Sequence, residues 1–336
     1  MSGGFVPYHL RQNKAVDRAV FIELLKKIDP IYPICGSKYV GFAGPFLEDF
    51  KISHSNFGNE DLVSIEIDGD VVKRQNFNQP LSCIDINEMS SSDFISQVRQ
   101  DEERYTFWLD YACPKKIREQ IHEYGNFLSK AAEGSIGRVT LNVSLHALNN
   151  EVYRMEGGKK INLDKEEKQI KRFEKICTRL SDFDVQNRYS AADMTEEKYP
   201  VLLQDIIRRS CQQKIGSRNL VIKPLTSFVY QDGEHQMWTF TSILIPKDSA
   251  LLEVTKINEW KYSQTSWTGA PIFIDMPDLS FRERAKIDQL LPGNDKDAVM
   301  EQIGYKLHDR PAIHERKIKS YIDFYRFLPF YGRVTI

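Results

Sequence analysis

The chain has 336 residues, a length that predicts about two domains or one domain with a large insertion. Hydrophobic residues make up 41% of the sequence and charged residues 28%, which is typical of a folded globular protein and excludes a disordered chain. The formal net charge is −1, so the sequence as a whole does not indicate a nucleic-acid-binding protein. Binding to nucleic acid would need a local basic patch.

The cysteines and histidines give no sign of a metal site. The five cysteines are far apart and form no Cys-x-x-Cys pair, and the seven histidines are scattered, so we predict no bound metal. The amino-terminal residues lack a basic segment followed by an apolar run, and no apolar stretch approaches the roughly 18 residues of a membrane span. These features predict a cytoplasmic protein with reduced thiols and no membrane contact.

The first half of the chain alternates between helical and extended patterns. Residues 14–28 carry one apolar stripe at helical spacing, and Asp29-Pro30 ends that helix. Apolar runs typical of strands follow, with amphipathic segments between them. Those runs are 39–43, 62–67, 81–86, 106–110 and 138–145. This alternation predicts an α/β protein with a doubly wound, mainly parallel sheet.

Each of the first four strands ends in glycine or polar residues. In a doubly wound sheet the ligand binds outside the carboxyl ends of the strands, so these four exits predict the binding site. The first is a glycine turn, and the second ends in carboxylates about 20 residues later, which is the outline of a nucleotide-binding βαβ unit. The residues at the four exits are Gly41 to Pro45, Glu66 and Asp68, Asp85 and Asn87, and Asp110 and Tyr111.

The second half of the chain changes in character. Residues 149–217 are dense in charge and show no strand pattern, which predicts a helical insertion at about 150–217. Two apolar runs at 220–230 and 236–245, joined through Asp232-Gly233, predict an antiparallel hairpin. The last residues are rich in aromatic rings, which we expect either to dock on the main domain or to form a surface for a homo- or hetero-oligomer. These rings are Tyr321, Phe324, Tyr325, Phe327, Phe330 and Tyr331.

Five strand–helix units followed by an antiparallel hairpin resemble the class I S-adenosylmethionine-dependent methyltransferases over about residues 35–245. Three short strings are similar to those of the three-Cys-motif partner proteins, which are methyltransferase-like: Gly-Phe-Ala-Gly-Pro at 41–45, Ile-Glu-Ile-Asp at 65–68 and Trp-Leu-Asp-Tyr at 108–111. The resemblance implies a Rossmann-like domain of about seven strands at 35–245. A helical segment at 1–34 precedes this domain, and an extension at 246–336 follows it.

The resemblance also implies the cofactor and the role of each strand exit. S-adenosylmethionine is the implied cofactor, and the methyl acceptor is not identified. The glycine turn would hold the methionine part, the second exit the ribose, the third the adenine, and the fourth would face the methyl group and carry catalysis. These roles fall on Gly41, Ala43 and Gly44, on Glu66, on Asp85 or Asn87, and on Asp110 and Tyr111.

Two positions depart from the family pattern and leave an alternative open. Val40 stands where the family has an acidic residue, and Phe46 stands where it has a second glycine. A phenyl ring at a point of close backbone approach would fill the cofactor space, which favours a catalytically inactive binding or scaffold subunit. Plainer roles also stay open, because Asp110 is a suitable helix cap and Asp85 a suitable turn residue. A nicotinamide-dependent oxidoreductase is a third interpretation, disfavoured because the glycine string is not G-x-G-x-x-G.

Overall fold

The computed structural model of the chain describes residues 11–149, 151, 153–216, 218–293 and 295–329. The strands are β1 (Lys38–Gly41), β2 (Leu62–Glu66), β3 (Ile84–Glu88), β4 (Tyr105–Asp110), β5 (Ile136–Asn142), β6 (Tyr153–Glu156), β7 (Lys159–Asn162), β8 (Leu220–Asp232), β9 (His235–Pro246) and β10 (Ile272–Ile274). The longer helices are α1 (Gln12–Ile28), α2 (Glu48–Phe57), α3 (Gly69–Asn78), α4 (Ser91–Gln97), α5 (Ile117–Lys130), α7 (Lys165–Arg179), α9 (Lys198–Ile215), α11 (Phe281–Asp288), α12 (Lys296–Ile303) and α13 (Pro311–Phe324). Three helices have a single turn: α6 (Leu145–Leu148), α8 (Val185–Arg188) and α10 (Leu251–Val254).

Eight strands form one sheet in the order β10-β8-β9-β5-β4-β1-β2-β3. β9 is antiparallel to both of its neighbours, β5 and β8, and the other strands run parallel to one another. The chain therefore winds outward from β1 in both directions, as in a doubly wound Rossmann-like sheet. The predicted fold is confirmed: seven strands of the sheet lie within about residues 35–245, as expected, and the eighth, β10, comes from the carboxyl-terminal extension.

The long hairpin β8–β9 explains the one reversal of direction. A two-residue turn at Gly233 and Glu234 joins the strands, and Gly233 has φ 62°, in the left-handed region that such turns need. Because the turn is so short, β9 must run antiparallel to β8, and its other edge then pairs with β5. The Asp-Gly pair in the sequence predicted this hairpin correctly.

Helices cover both faces of the sheet. Successive residues of a strand point to opposite faces, so Tyr39 packs on one side of β1 and Val40 on the other. The first face packs against α1 and α2 around Phe21, Phe50 and Trp108. The second face packs against α4, α5 and α9. A third cluster joins α1 and β8 to the carboxyl-terminal helices.

The segment 150–217 is not wholly helical, which corrects the prediction for it. It contains the hairpin β6–β7, whose strand residues are all exposed. The turn between them is Gly157-Gly158, and both glycines have positive φ values, 56° and 80°. A glycine pair is a strong signal for such a turn, and residues 153–156 alternate between apolar and polar side chains, but the high charge of the whole segment favoured the helical interpretation.

The carboxyl-terminal region is built onto the sheet. β10 pairs with β8 at the edge of the sheet, and the rings of Tyr321 and Phe324 are each 1% exposed. Phe324 stacks on Tyr262, with ring centres 5.1 Å apart. The expected docking of this segment is confirmed for 321–329, whereas Phe330 and Tyr331 lie outside the described residues. The predicted domain boundaries at 34/35 and 245/246 stay predictions.

Candidate functional site

The parallel strands end together at one edge of the sheet, which we call the carboxyl edge. β1 lies between β2 and β4, and Gly41 is level with Ser64 on one side and with Trp108 on the other. The connection from β1 goes to β2, and the later strands β4 and β5 lie on the other side of β1. The region just outside the ends of β1 and β4, which we call the β1–β4 crevice, is therefore the topological switch point at which such sheets bind ligands.

The glycine turn after β1 is tight and strained. A Cβ atom on Gly41 would lie 3.3 Å from the carbonyl oxygen of Trp108, so a side chain would crowd β4. Ala43 has φ 55°, Gly44 has φ 58°, and Leu47 has φ 55°. Ala43 and Leu47 are non-glycine residues in the left-handed region, where backbone strain of about 1–3 kcal/mol is characteristic of functional sites. The predicted turn is present, and its backbone is sharply bent.

A buried amide on α3 holds this turn in place. The Gln75 side chain is fully buried, and its Nε2 donates to the carbonyl oxygens of Phe42 (3.1 Å) and Gly44 (2.9 Å). Its Oε1 accepts from the hydroxyl of Ser64 on β2 at 3.1 Å. Asn78, one turn later, donates to the next carbonyl of the turn at 2.8 Å. Sequence reasoning missed both amides, because a glutamine within an amphipathic helix gives no sign of what it contacts.

The end of β2 brings Glu66 to the carboxyl edge, as predicted. Its Oε1 accepts hydrogen bonds from the backbone N–H groups of Ile67 (2.8 Å) and Asp68 (3.0 Å). Asp68 caps α3 by accepting from the N–H groups of Asp70 and Val71. Glu66 is therefore a half-buried carboxylate whose orientation the following loop fixes, and Asp68 has a structural role.

The third strand begins later than the sequence predicted. The predicted run was 81–86, but a turn at 81–84 delays the start, and Gln79 donates to the carbonyl oxygens of Leu81 and Ile84 there. Asp85 consequently lies inside β3, level with Val63, and not at its exit. Asn87 lies one residue before the end of the strand, and its Nδ2 donates to Asp85 Oδ2 at 2.9 Å. Asn87 is therefore nearer to the carboxyl edge than Asp85.

Asp110, the last residue of β4, forms an ion pair with the first turn of α1. Lys14 Nζ lies 2.7 Å from Asp110 Oδ2, and the two side chains are 4% and 27% exposed. Burial favours the neutral acid, but Lys14, Arg18 and a hydrogen bond from Thr140 together hold the pKa of Asp110 below its ordinary value. Asp110 is therefore an anion at the crevice. It pairs with Lys14 and does not cap a helix.

Tyr111, the next residue, is fixed by a hydrogen bond at its hydroxyl. Its O–H donates to Glu123 on α5, and Glu123 also accepts from Ser91 at 2.6 Å. The ring of Tyr111 meets that of Phe42 edge-on, with centres 5.3 Å apart. Burial and the Glu123 carboxylate raise the pKa of Tyr111 well above its ordinary value. This side chain therefore keeps its proton at neutral pH and is not placed to accept another.

The ring of Phe46 and the charged residues of α1 are the two remaining features of the crevice. Phe46 packs its ring against the guanidinium of Arg74 on α3, with 4.9 Å between the guanidinium carbon and the ring centre. On α1, Asp17 is fully buried and pairs with the buried Arg138 of β5 at 2.5 Å, while Arg18 pairs with Asp49. An apolar stripe predicted α1, but nothing in its spacing indicated that three of its charged residues are buried.

The described residues hold neither a metal-binding cluster nor a membrane-spanning helix. In the described ranges no cluster of three or more histidine, cysteine or acidic side chains is arranged to hold a metal ion. None of the helices in those ranges is long and apolar enough to cross a bilayer.

Comparison with solved structures gives weak similarities. A "putative transferase" from Pyrococcus horikoshii is 11% identical over 72% of this chain and 65% of that one, with a TM-score of 0.36. A "putative S-adenosylmethionine dependent methyltransferase" from Listeria monocytogenes is 8% identical over 67% of this chain and 98% of that one, with a TM-score of 0.37. The plantazolicin methyltransferase BamL is 9% identical over 70% and 88%, with a TM-score of 0.36. At such scores these similarities carry no argument about function.

Comparison at the level of sequence gives a clear family. No curated protein matches the chain. A family model described as "Putative O-methyltransferase" matches residues 6–336, which is nearly the whole sequence. This match agrees with the order and directions of the strands and with the glycine turn at the switch point. The chain therefore belongs to the family that this model describes.

Proposed function

We propose that the chain is an S-adenosylmethionine-dependent O-methyltransferase whose donor and acceptor meet in the β1–β4 crevice. The observation that carries the proposal is the strained glycine turn at the switch point, beside the acidic end of β2. A tight turn there lets a ligand approach the backbone closely, and a neighbouring carboxylate suits ribose hydroxyls. Membership of the O-methyltransferase family supports the type of reaction.

Each part of the donor has a candidate partner at the carboxyl edge. Gly41, Ala43 and Gly44 contact the methionine part. Glu66 binds the ribose through Oε2, because its Oε1 is already held by two loop N–H groups. Asn87 is the better candidate for the adenine, because it is closer to the edge, and Asp85 orients its amide. The sequence alone left Asp85 and Asn87 as equals.

The bound donor supplies an electrophilic methyl group on a positively charged sulfur. The residues of the chain bind and orient the two reactants and exclude water, which accounts for most of the acceleration expected in such a displacement. Asp110 contributes a fixed negative charge and a hydrogen-bond acceptor. Tyr111 shapes the wall of the crevice through its contact with Phe42, since its hydroxyl is engaged by Glu123.

Calorimetry on the purified chain tests the proposal directly. We expect S-adenosylmethionine and S-adenosylhomocysteine to bind and NAD not to bind. Glu66→Ala should weaken both by roughly 1.5–3 kcal/mol, because a charge-assisted hydrogen bond is lost. Glu60→Ala, an exposed glutamate in the loop before β2, is the matched control and should bind like the parent. An unchanged affinity in Glu66→Ala would remove Glu66 from the site.

A second candidate function is a methyltransferase-like scaffold subunit without catalysis. The observation that favours it is that both proposed catalytic residues already have internal partners, Asp110 with Lys14 and Tyr111 with Glu123. Such bonds would also hold a purely structural loop. A folded protein that binds neither S-adenosylmethionine nor S-adenosylhomocysteine in the calorimetry would favour the scaffold over the enzyme.

The cysteines and the carboxyl-terminal aromatic segment bear on the location and the partners of the protein. A cytoplasmic protein is supported by five free cysteines at separate places in the structure. A partner surface at the carboxyl-terminal aromatic segment is supported by Tyr325 and Phe327, which stay partly exposed while Tyr321 and Phe324 are buried. Light scattering that gives the mass of a monomer at all concentrations would contradict self-association through this segment.

A further inference from the structure

The ion pair between Lys14 and Asp110 lies where the reactants of the proposed function would meet. We infer that Lys14 is a positioning residue: it fixes the Asp110 carboxylate as an anion at the part of the crevice that receives the sulfonium of the methyl donor. The inference rests on the proposed function and assigns a role to α1, which precedes the sheet in the chain. The geometry that carries it is the 2.7 Å contact between Nζ and Oδ2 at the end of β4.

Lys14 is held rigidly by the helix that carries it. Arg18, one turn further along α1, donates to both oxygens of Asp49, from Nε at 2.7 Å and from Nη2 at 3.0 Å. Asp49 lies in the first turn of α2, the helix that follows the glycine turn. α1 therefore connects both sides of the crevice, with Lys14 on the β4 side and Arg18 on the β1 side. A bidentate pair of this kind fixes orientation as well as distance.

The surroundings of Asp110 make Lys14 its main source of charge stabilisation. Asp110 interacts electrostatically with two cations on α1 and with two tyrosines on strands. Burial raises the pKa of both tyrosines well above the ordinary value, so neither carries charge at neutral pH. Without a cation, burial would favour the protonated acid. The four groups are Lys14, Arg18, Tyr39 of β1 and Tyr230 of β8.

Comparing the affinities of two ligands distinguishes this positioning role of Lys14 from a merely structural role. S-adenosylmethionine and S-adenosylhomocysteine differ by one methyl group and one positive charge, so an anion at the sulfonium site favours the first. Below about pH 7 both ligands have a protonated amino group and an ionised carboxyl group, so in that range the ratio of the two affinities does not depend on the titration of the ligands. The ratio therefore reports the charge of Asp110, whereas a general loss of structure would weaken both ligands alike.

The experiment measures this ratio by calorimetry between about pH 5 and pH 7, where the ligands themselves do not titrate. In the parent the ratio should be flat, because the pKa of Asp110 is depressed below its ordinary value and the group stays charged throughout. In Lys14→Met, burial then raises that pKa, so the preference for S-adenosylmethionine should fall about three- to tenfold as pH is lowered. Lys14→Arg should restore the flat ratio. Lys26→Met, an exposed lysine of the same helix, should match the parent.

Asp110→Asn keeps the test decisive if Lys14→Met fails to fold. This variant should lose the preference for S-adenosylmethionine at every pH in the range, with affinity for S-adenosylhomocysteine retained. Two results would overturn the inference, provided that both ligands still bind. One is an Asp110→Asn protein with the affinity ratio of the parent, and the other is a Lys14→Met protein whose affinity ratio does not change with pH. Failure of the parent to bind either ligand would instead contradict the proposed function.

Discussion

The glycine turn on the β1 side of the β1–β4 crevice and the end of β4 on the other side are held in place by different chemistry. On the β1 side, neutral amides of Gln75 and Asn78 donate to carbonyl oxygens of the glycine turn. On the β4 side, α1 places charged residues in buried ion pairs, Asp17 with Arg138 and Lys14 with Asp110. The first arrangement fixes a backbone shape, and the second fixes charge.

This difference has a physical consequence. A neutral amide bonded to a carbonyl keeps its strength across the ordinary range of pH and salt, so the shape of the turn should be constant. A buried ion pair is strong only while both partners are present, because a lone buried charge is severely destabilising. The β4 side should therefore tolerate mutation much less than the β1 side, and substitutions on each side can test the contrast.

The largest effect is expected at Asp17. Asp17→Ala leaves the Arg138 guanidinium, 1% exposed between the rings of Phe21 and Trp108, without its carboxylate. We expect the free energy of unfolding to fall by about 3–5 kcal/mol in urea denaturation. The exposed pair of Arg99 and Glu102 provides the control, since Glu102→Ala should change stability by roughly 0–1 kcal/mol. Equal losses in the two variants would contradict the contrast.

A smaller effect is expected at Gln75 on the β1 side. Gln75→Ala removes the donor to two carbonyl oxygens of the turn, so we expect a loss of about 1–3 kcal/mol in stability. The loss should be the same at pH 6 and pH 8, because no ionisable group takes part. Asn76→Ala on the exposed face of the same helix should have little effect. A loss that depends on pH would show that the turn is coupled to the charged side.

The smallest effect is expected at Tyr230, next to the ion pairs. Its hydroxyl is buried and has no hydrogen-bond partner among the residues that the structure describes, so it gains nothing from its polar atom. Tyr230→Phe should leave the melting temperature unchanged or raise stability by up to about 1 kcal/mol. Tyr124→Phe, which loses hydrogen bonds to Gly137 (2.9 Å) and Ser242 (2.6 Å), should be destabilising in the same assay. A destabilised Tyr230→Phe would reveal a partner such as a buried water.

Much of the fold could be predicted because the sheet is buried on both faces. β2 and β4 are runs of apolar residues, so their pattern is local and strong, and both strands lie where the sequence placed them. The β8–β9 hairpin could also be predicted, because its tight turn needs a positive φ and Gly233 supplies it. β3 is an edge strand with mixed polarity, and its start was predicted three residues too early. β6 and β7 bury nothing, and the four-residue alternation of β6 within a charge-rich segment is too short to distinguish a strand from a helix.

The candidate site could be predicted only where it depends on the ends of strands. Gly41, Glu66 and Asp110 follow from the rule that parallel strands finish at one edge. Lys14 lies 96 residues before Asp110 in the chain, and Gln75 contacts a turn 31 residues away. Such contacts arise from tertiary packing of helices, and no local spacing encodes them. For the same reason, no local pattern indicated that the Tyr111 hydroxyl donates to Glu123, and the catalytic role of Tyr111 stays a prediction.

The polar residues of β3 also affect how copies of the chain meet. β3 is one outer strand of the sheet, and such a strand presents unpaired backbone groups that another chain could join. It is only five residues long, and Asp85 and Glu88 on it are exposed carboxylates. Two copies aligned edge to edge would bring these like charges together in a strand too short to compensate for the repulsion. The carboxylates at this edge therefore protect the sheet against pairing between molecules, whatever ligand the crevice binds.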